Sequence, residues 1–357
     1  MSERADGSTD VAPPVGVGVI GLGFMGATHL AAYRTAHAAG FANRLVAVCD
    51  PDPDRRAGLI EPRGNIDTLD DAEYLFDPDG VAASETPGAL LGNPDVDLVS
   101  ICTYTDTHVD LALAALDAGK HVLVEKPVAL RRLEAERLRD AARATPGRLC
   151  MPAMCMRFWP GWDWLARALV EGRYGAVREA RFRRVGPIPG WADEFYGDVS
   201  RSGGALFDLH VHDADFVRWC FGAPEAVSCR GNLAHITTTY DFGAGGPHVI
   251  AEGGWREHED APFEMGFEVQ FEQATARYVF GEPPVLTLVQ DHVSTPVALG
   301  EGDGYDGEVS HLLAAIAAGE PGQAPTPGDM LDDAVDVTTM LEAELESLQD
   351  GAPVRLT

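Results

Sequence analysis

The sequence predicts an α/β protein in two parts, a doubly wound parallel sheet followed by an α/β domain with a large, mostly antiparallel open sheet. Three observations carry this. From Val15 to about residue 145, apolar runs of strand type alternate with helical segments across short loops. Beyond that point strand-like segments alternate apolar and polar residues with few helices between them, as suits a sheet with one exposed face. At 357 residues the chain is long enough for two domains rather than one. The expected division is a disordered polar tail at 1–14, a parallel-sheet domain at 15–145, and a second domain at 146–357 whose C-terminal helices pack back.

Val15 to Ile20 (VGVGVI) reads as the first strand. Gly21, Gly23 and Gly26 follow at G-x-G-x-x-G spacing and open a helix that ends near Gly40. Gly16, Gly18 and Gly21 fit the same spacing, but that register leaves no strand ahead of the turn. With the later register, backbone approaches a pyrophosphate closely at a helix N-terminus. Leu45 to Cys49 is the next strand and Asp50 ends it, where a carboxylate holds the ribose hydroxyls of NAD and repels the extra phosphate of NADP. Arg55 and Arg56 keep NADP open. Residues 57–94 are polar and broken by Pro62, Pro78, Pro87 and Pro94, consistent with a helix, a short strand and an irregular insertion. Val96 to Thr103 and the HVLVE run at 121–125 read as buried strands, with a helix in HVDLALAALDAG between them and another at 129–144. Ligands of such a sheet bind at the carboxyl ends of its strands. Phe24 and Met25 inside the glycine motif, and Thr103, Thr105, His108, Glu125 and Lys126 at later strand ends, complete the expected cofactor contacts.

The formal net charge of −29 argues against nucleic acid or an anionic membrane as a partner. No apolar run approaches the roughly 18 residues of a membrane span, and the first residues carry no apolar signal core, so a cytoplasmic location is expected. Six cysteines without a C-x-x-C read as reduced, buried thiols, with no metal site expected. Lys120 and Lys126 are the only lysines. A lysine in the Glu-Lys-Pro corner that follows a strand can do what an arginine there could not, namely move a proton.

Asp208 and His212 stand at i, i+4 in GGALFDLHVHDADF, so on one helix they face the same way. A lysine, a carboxylate and an imidazole beside a dinucleotide turn are the parts for deprotonating an alcohol as hydride leaves its carbon. The order GLGFMG, Asp50, CTYTDTH, AGKHVLVEKP, GGALFDLHVHDADF and LEAELESLQDGAPV resembles the glucose–fructose oxidoreductase / inositol dehydrogenase (Gfo/Idh/MocA) family from about residue 15 to the C-terminus. The resemblance implies a Rossmann domain, NAD(P), a sugar or cyclitol substrate, and a homodimer or homotetramer formed through the open sheet. It also implies that Lys126 hydrogen-bonds the reacting hydroxyl, that His212 is the general base and that Asp208 is its neighbour. Two positions depart from the pattern: Tyr104 stands where a proline is common, and His210 adds a second imidazole. Arg157 and Trp191 are the expected substrate contacts, ahead of Trp159.

Three other readings start from the same residues. NAD-dependent glycoside cleavage begins with the same hydride transfer, and a non-catalytic NAD(P)-binding regulator would share the fold. A metal-dependent hydrolase would use His210 and His212 as an H-x-H pair on a strand.

Overall fold

The computed structural model describes residues 13–59, 74–190, 192–258, 261–319 and 327–356. Most of the expected tail, residues 60–73 of the 57–94 segment, and Trp191 lie outside these.

Six strands form the first sheet: β1 (Val15–Ile20), β2 (Asn43–Cys49), β3 (Ala82–Ser84), β4 (Leu98–Ile101), β5 (His121–Val124) and β6 (Cys150–Pro152). All pair in parallel, in the order β3-β2-β1-β4-β5-β6. Helices cover both faces, so strand residues are apolar on both sides: Val17, Val19, Val48, Val99, Ile101, Val122 and Val124 are fully buried. The strand order reverses direction between β1 and β4, which opens a crevice above their carboxyl ends. The glycine turn lies there. The sheet continues past residue 145 to β6, and the predicted helix at 129–144 is the shorter Arg132–Arg143.

The second sheet has nine strands: β7 (Val177–Pro187), β8 (Ala226–Asn232), β9 (His235–Asp241), β10 (His248–Arg256), β11 (Glu264–Phe271), β12 (Thr275–Val279), β13 (Leu286–Gln290), β14 (Val293–Pro296) and β15 (Val354–Arg355). Their order is β14-β13-β12-β11-β7-β10-β9-β8-β15, and only the β7–β10 pairing is parallel. Ala180, Phe182 and Arg184 of β7 point inward at period two, while Arg181 and Arg183 point outward. On the outer face Arg183 pairs with Glu252 and Glu264 across neighbouring strands.

The C-terminal helices return to the rest of the chain. Val309, Leu312 and Leu313 of the helix Gly304–Ala318 join the core of the parallel-sheet domain. The helix Pro327–Asp350 lays Val337 and Leu341 against Leu206, Val211 and Ile236. This return brings Tyr305 and Glu308 beside the carboxyl end of β5.

Candidate active site

The helix Phe24–Ala38 begins directly at the glycine turn, with Gly23 as its N-cap. Gly21 has φ +87°, and a Cβ there would lie 2.5 Å from the Cys102 carbonyl oxygen. A Cβ on Gly26 would lie 2.0 Å from the Gly21 carbonyl oxygen. Both positions therefore need glycine for the turn and for helix–strand packing. Gly23 differs, because a Cβ there would meet protein no closer than Arg55 Nη1 at 3.8 Å. The open cradle over Gly23, at a helix N-terminus, fits a pyrophosphate. Gly16 and Gly18 of the competing register lie within β1, where a Cβ would strike Asp95 and Leu90.

Asp50 ends β2 with its side chain 4% exposed. It accepts hydrogen bonds from Leu22 N at 2.6 Å and Asp52 N at 2.9 Å, while Arg55 Nη1 stands 4.0 Å away. The carboxylate is thus fastened to the glycine turn itself, with Arg55 above it.

Thr103 Oγ1 and Thr107 Oγ1 share a hydrogen bond of 2.7 Å, and Thr105 is buried beside them. His108 is turned away from the cleft. Its Nδ1 lies 2.9 Å from the Pro127 carbonyl and its Nε2 3.1 Å from the Thr103 carbonyl, so it braces the two strand-end loops. Burial holds this imidazole below its ordinary pKa despite the carbonyls. Tyr104 stacks on Phe195 at 4.5 Å, under the Arg201 guanidinium, and so clips the loop after β4 to the second domain.

Lys126 follows β5 and reaches across to the second domain. Its Nζ donates to the Asp208 carbonyl at 2.8 Å and to Asp208 Oδ1 at 3.2 Å. The other lysine, Lys120, is spent on structure, capping the carbonyls of Asn93 and Val96. The expected single helix through Asp208 and His212 is two helices, Gly204–Asp208 and Val211–Phe221. His210 N bonds back to the Ala205 carbonyl, widening the turn between them. Both side chains nevertheless line the cleft that holds Lys126, along with Phe24, Met25 and Arg184. Among the described residues no hydrogen bond joins Asp208 to His212, so Asp208 orients Lys126 and leaves the imidazole tautomer alone. His212 Nδ1 is buried without a hydrogen-bond partner. Burial, then Lys126 and Arg184, push its pKa well below the usual value, so the imidazole is neutral.

His210 has a different environment and a different task. It is fully buried, with Nε2 2.8 Å from Glu344 Oε2 and 3.1 Å from the Tyr240 hydroxyl. Burial opposes its protonation, but Glu344 more than offsets this and raises its pKa. Since the two imidazoles face apart, the H-x-H metal reading fails.

Arg157 is corrected as well. Its side chain is 1% exposed and is held by Asp215 at 2.6 and 2.9 Å and by Asp333 at 2.7 Å, outside the cleft lining. It is a structural ion cluster, and the arginine in the cleft is Arg184.

Behind Lys126, Glu125 belongs to a buried group whose other two members, His29 and Glu308, sequence reasoning missed. Glu125 accepts from the Lys126 backbone N–H at 3.0 Å, and its other oxygen lies 2.9 Å from His29 Nε2. Glu308 Oε1 is 3.8 Å from the same nitrogen, and neither Glu308 oxygen has a hydrogen-bond partner. These three side chains place ligand-type atoms within 4.8 Å of one another. Burial, then the Glu125 charge, push the Glu308 carboxyl well above the usual range, so a proton already removes the second buried negative charge. The folded carboxyl holds a proton that the unfolded chain releases near pH ~4.3. Stability from this group therefore falls as pH rises from there towards the folded value. Glu308→Gln is expected to stabilise the protein at neutral and alkaline pH by about 1 kcal/mol or more, read from thermal melts across pH. An unchanged or lowered melting curve at pH 8 would contradict a neutral Glu308.

A parallel sheet with a glycine turn at its crevice, capped by a second domain that lends side chains to the same cleft, defines a two-domain dinucleotide-binding protein. The chain belongs to the Gfo/Idh/MocA oxidoreductase family. Residues 15–152 match the family described as an oxidoreductase family with an NAD-binding Rossmann fold, and residues 162–261 match its C-terminal domain. An inositol 2-dehydrogenase from Saccharopolyspora erythraea is 30% identical over 208 residues, covering 58% of this chain and 53% of that protein. A D-glucoside 3-dehydrogenase from Escherichia coli is 30% identical over 225 residues, covering 61% of this chain and 57% of that protein. The chain thus spans about half the length of these relatives. Among solved structures, a levoglucosan dehydrogenase in complex with NADH and L-sorbose superimposes with a TM-score of 0.79 at 20% identity, over 97% of this chain and 100% of that one, and shares the fold. No helix among the described residues is long and apolar enough to cross a membrane.

Proposed function

We propose that the protein is an NAD(P)-dependent dehydrogenase that moves hydride between nicotinamide and a secondary alcohol or ketone of a sugar, cyclitol or glycoside. The observation that supports this most is that Lys126, Asp208 and His212 open onto one cleft with Phe24 and Met25 of the dinucleotide turn. Nicotinamide dinucleotide, when bound, supplies the hydride acceptor or donor. Neutral His212 takes the carbinol proton. The Lys126 ammonium has three N–H donors and directs two contacts at Asp208, which leaves one for the developing alkoxide. The Lys126 charge that helps keep His212 neutral also stabilises that alkoxide. A non-catalytic regulator would leave this arrangement without a task, and the dehydrogenases named above do not favour glycoside cleavage.

The test is a panel of sugars, inositols and glycosides with NAD and NADP, read as absorbance of reduced cofactor. Absence of turnover across the panel with both cofactors would count against the reading. Within it, NAD is the preferred cofactor because Asp50 repels a 2′-phosphate. Asp50→Ser is expected to lower the NAD:NADP ratio of kcat/KM by about tenfold or more, since a hydrogen bond to a charged group contributes roughly 1.5–3 kcal/mol. An unchanged ratio would remove Asp50 from cofactor choice. Assembly into a homodimer or homotetramer through the open sheet belongs to the same proposal, and light scattering measures it.

A further inference from the structure

The cleft contains one strong donor that neither hydride chemistry nor cofactor binding uses. Arg184 lies on the inward face of β7, in phase with Ala180 and Phe182, and is 2% exposed. It lines the cleft together with Lys126, Asp208 and His212. One edge of its guanidinium is occupied: Nε and Nη2 lie 3.1 and 3.2 Å from the two oxygens of Asp213, itself fully buried. The guanidinium carbon lies over the Trp162 ring, 5.7 Å from its centroid. The remaining nitrogen, Nη1, faces the Met265 thioether sulfur at 2.7 Å. Sulfur is a weak acceptor, so a charged N–H at the cleft wall is left with a poor partner. Met265 also lines the cleft, and an unbranched thioether side chain yields easily to a ligand.

We infer that Arg184 is the specificity-determining donor of the cleft, and that through Nη1 it binds an uncharged oxygen of the substrate other than the one being oxidised. This rests on the dehydrogenase reading and deepens it. The chemistry of the ligand follows from what Arg184 has left to give. The side-on pair of parallel N–H groups, Nε and Nη2, is committed to the Asp213 carboxylate. The Arg184–Asp213 pair is neutral as a unit, so it supplies no unbalanced charge to draw a uronate or an aldonate. A single remaining nitrogen suits one hydroxyl, ring or glycosidic oxygen. Selectivity against an analogue lacking that oxygen is then large, because the analogue leaves a buried charged donor facing sulfur.

The experiment compares kcat/KM for the full chain with NAD on a turned-over polyol, its monodeoxy analogues and its uronate counterpart. Wild type is expected to lose on the order of 10²-fold or more for one deoxy position besides the reacting carbon. Arg184→Met should erase that position's penalty, mainly through KM, while the penalties at other positions stay. Because Arg184→Met leaves Asp213 buried without its partner, Arg184→Met/Asp213→Asn is measured beside it as a folded, charge-balanced variant. The same deoxy penalties in wild type and in the double variant would overturn the inference. So would a uronate preferred over the neutral polyol in wild type and losing that preference in the variant, since Arg184 would then read an anion. If wild type oxidises no polyol with either cofactor, the dehydrogenase reading fails and this one with it; a normal wild-type panel with an indifferent variant removes Arg184 alone.

Discussion

Lys126→Ala and His212→Ala are each expected to cut turnover by about 10²-fold or more while the cofactor still binds. The two losses have different origins, and pH separates them. In the proposed mechanism His212 accepts the carbinol proton, and its burial with Lys126 and Arg184 nearby keeps it neutral well below pH ~6.5. The acid limb of kcat/KM for alcohol oxidation should therefore lie below that value. As pH falls through the folded pKa of His212, the base is protonated and activity is lost. Removing the Lys126 charge takes away one of the two cations, so the residual activity of Lys126→Ala should show its acid limb at higher pH. The same imidazole affects stability with a definite sign. The unfolded chain takes up a proton near pH ~6.5 that the folded chain refuses, so this group's contribution is present above that pH and is lost as pH falls towards the folded value. Fluorescence titration with reduced cofactor and steady-state kinetics across pH are the measurements. Near-wild-type turnover in both variants would break the site assignment, and a wild-type acid limb above 6.5 would break the electrostatic account of His212.

How far the sequence reveals this site depends on how far along the chain each partner lies. The parallel sheet is legible because its strands are buried on both faces and read as continuous apolar runs, with Gly21, Gly40 and Gly119 as punctuation. Lys126, Asp208 and His212 are legible from motif chemistry, and they do share a cleft. The break at Leu209 and His210 is not legible, because helical periodicity continues through it. Its cause is tertiary: His210 is drawn into the core by Glu344, 134 residues away. Arg184 did leave a trace, since its even number in VREARFRR puts it in phase with Ala180 and Phe182 rather than with Arg181 and Arg183. That placed an arginine on an apolar face, and a buried arginine needs both a partner and a reason. His29 also left one, three residues beyond the last glycine of the turn, but Glu308, which completes its group, is 279 residues further on by subtraction of their numbers. The second sheet's alternation marked it as mostly antiparallel and could not order its strands, because the central β7 pairs with β10 and β11 across long stretches of chain.

Arg157 shows the same limit in its most consequential form. Beside aromatics and close to the cleft in sequence, it has the chemistry of a substrate clamp, yet its acceptors are Asp215 and Asp333, 58 and 176 residues away. All three arginine nitrogens are engaged, and the guanidinium lies 5.3 Å from the centroid of Trp219. Arg157→Met is therefore expected to destabilise the fold by about 3–5 kcal/mol, because it strands the buried Asp215 carboxylate without its counter-charge. The methionine fills much of the volume, so lost packing is a minor part of this cost. Adding Asp215→Asn should return most of the stability, since a neutral amide carries far less desolvation penalty than an unpaired carboxylate. The measurement is the denaturant midpoint of wild type, single and double variants, with KM determined on whatever fraction remains folded. A substrate clamp would behave in the opposite way, with the midpoint held and KM raised in both variants. That result would move Arg157 back into the cleft and Asp215 out of the core, which the 1% exposure of both side chains opposes.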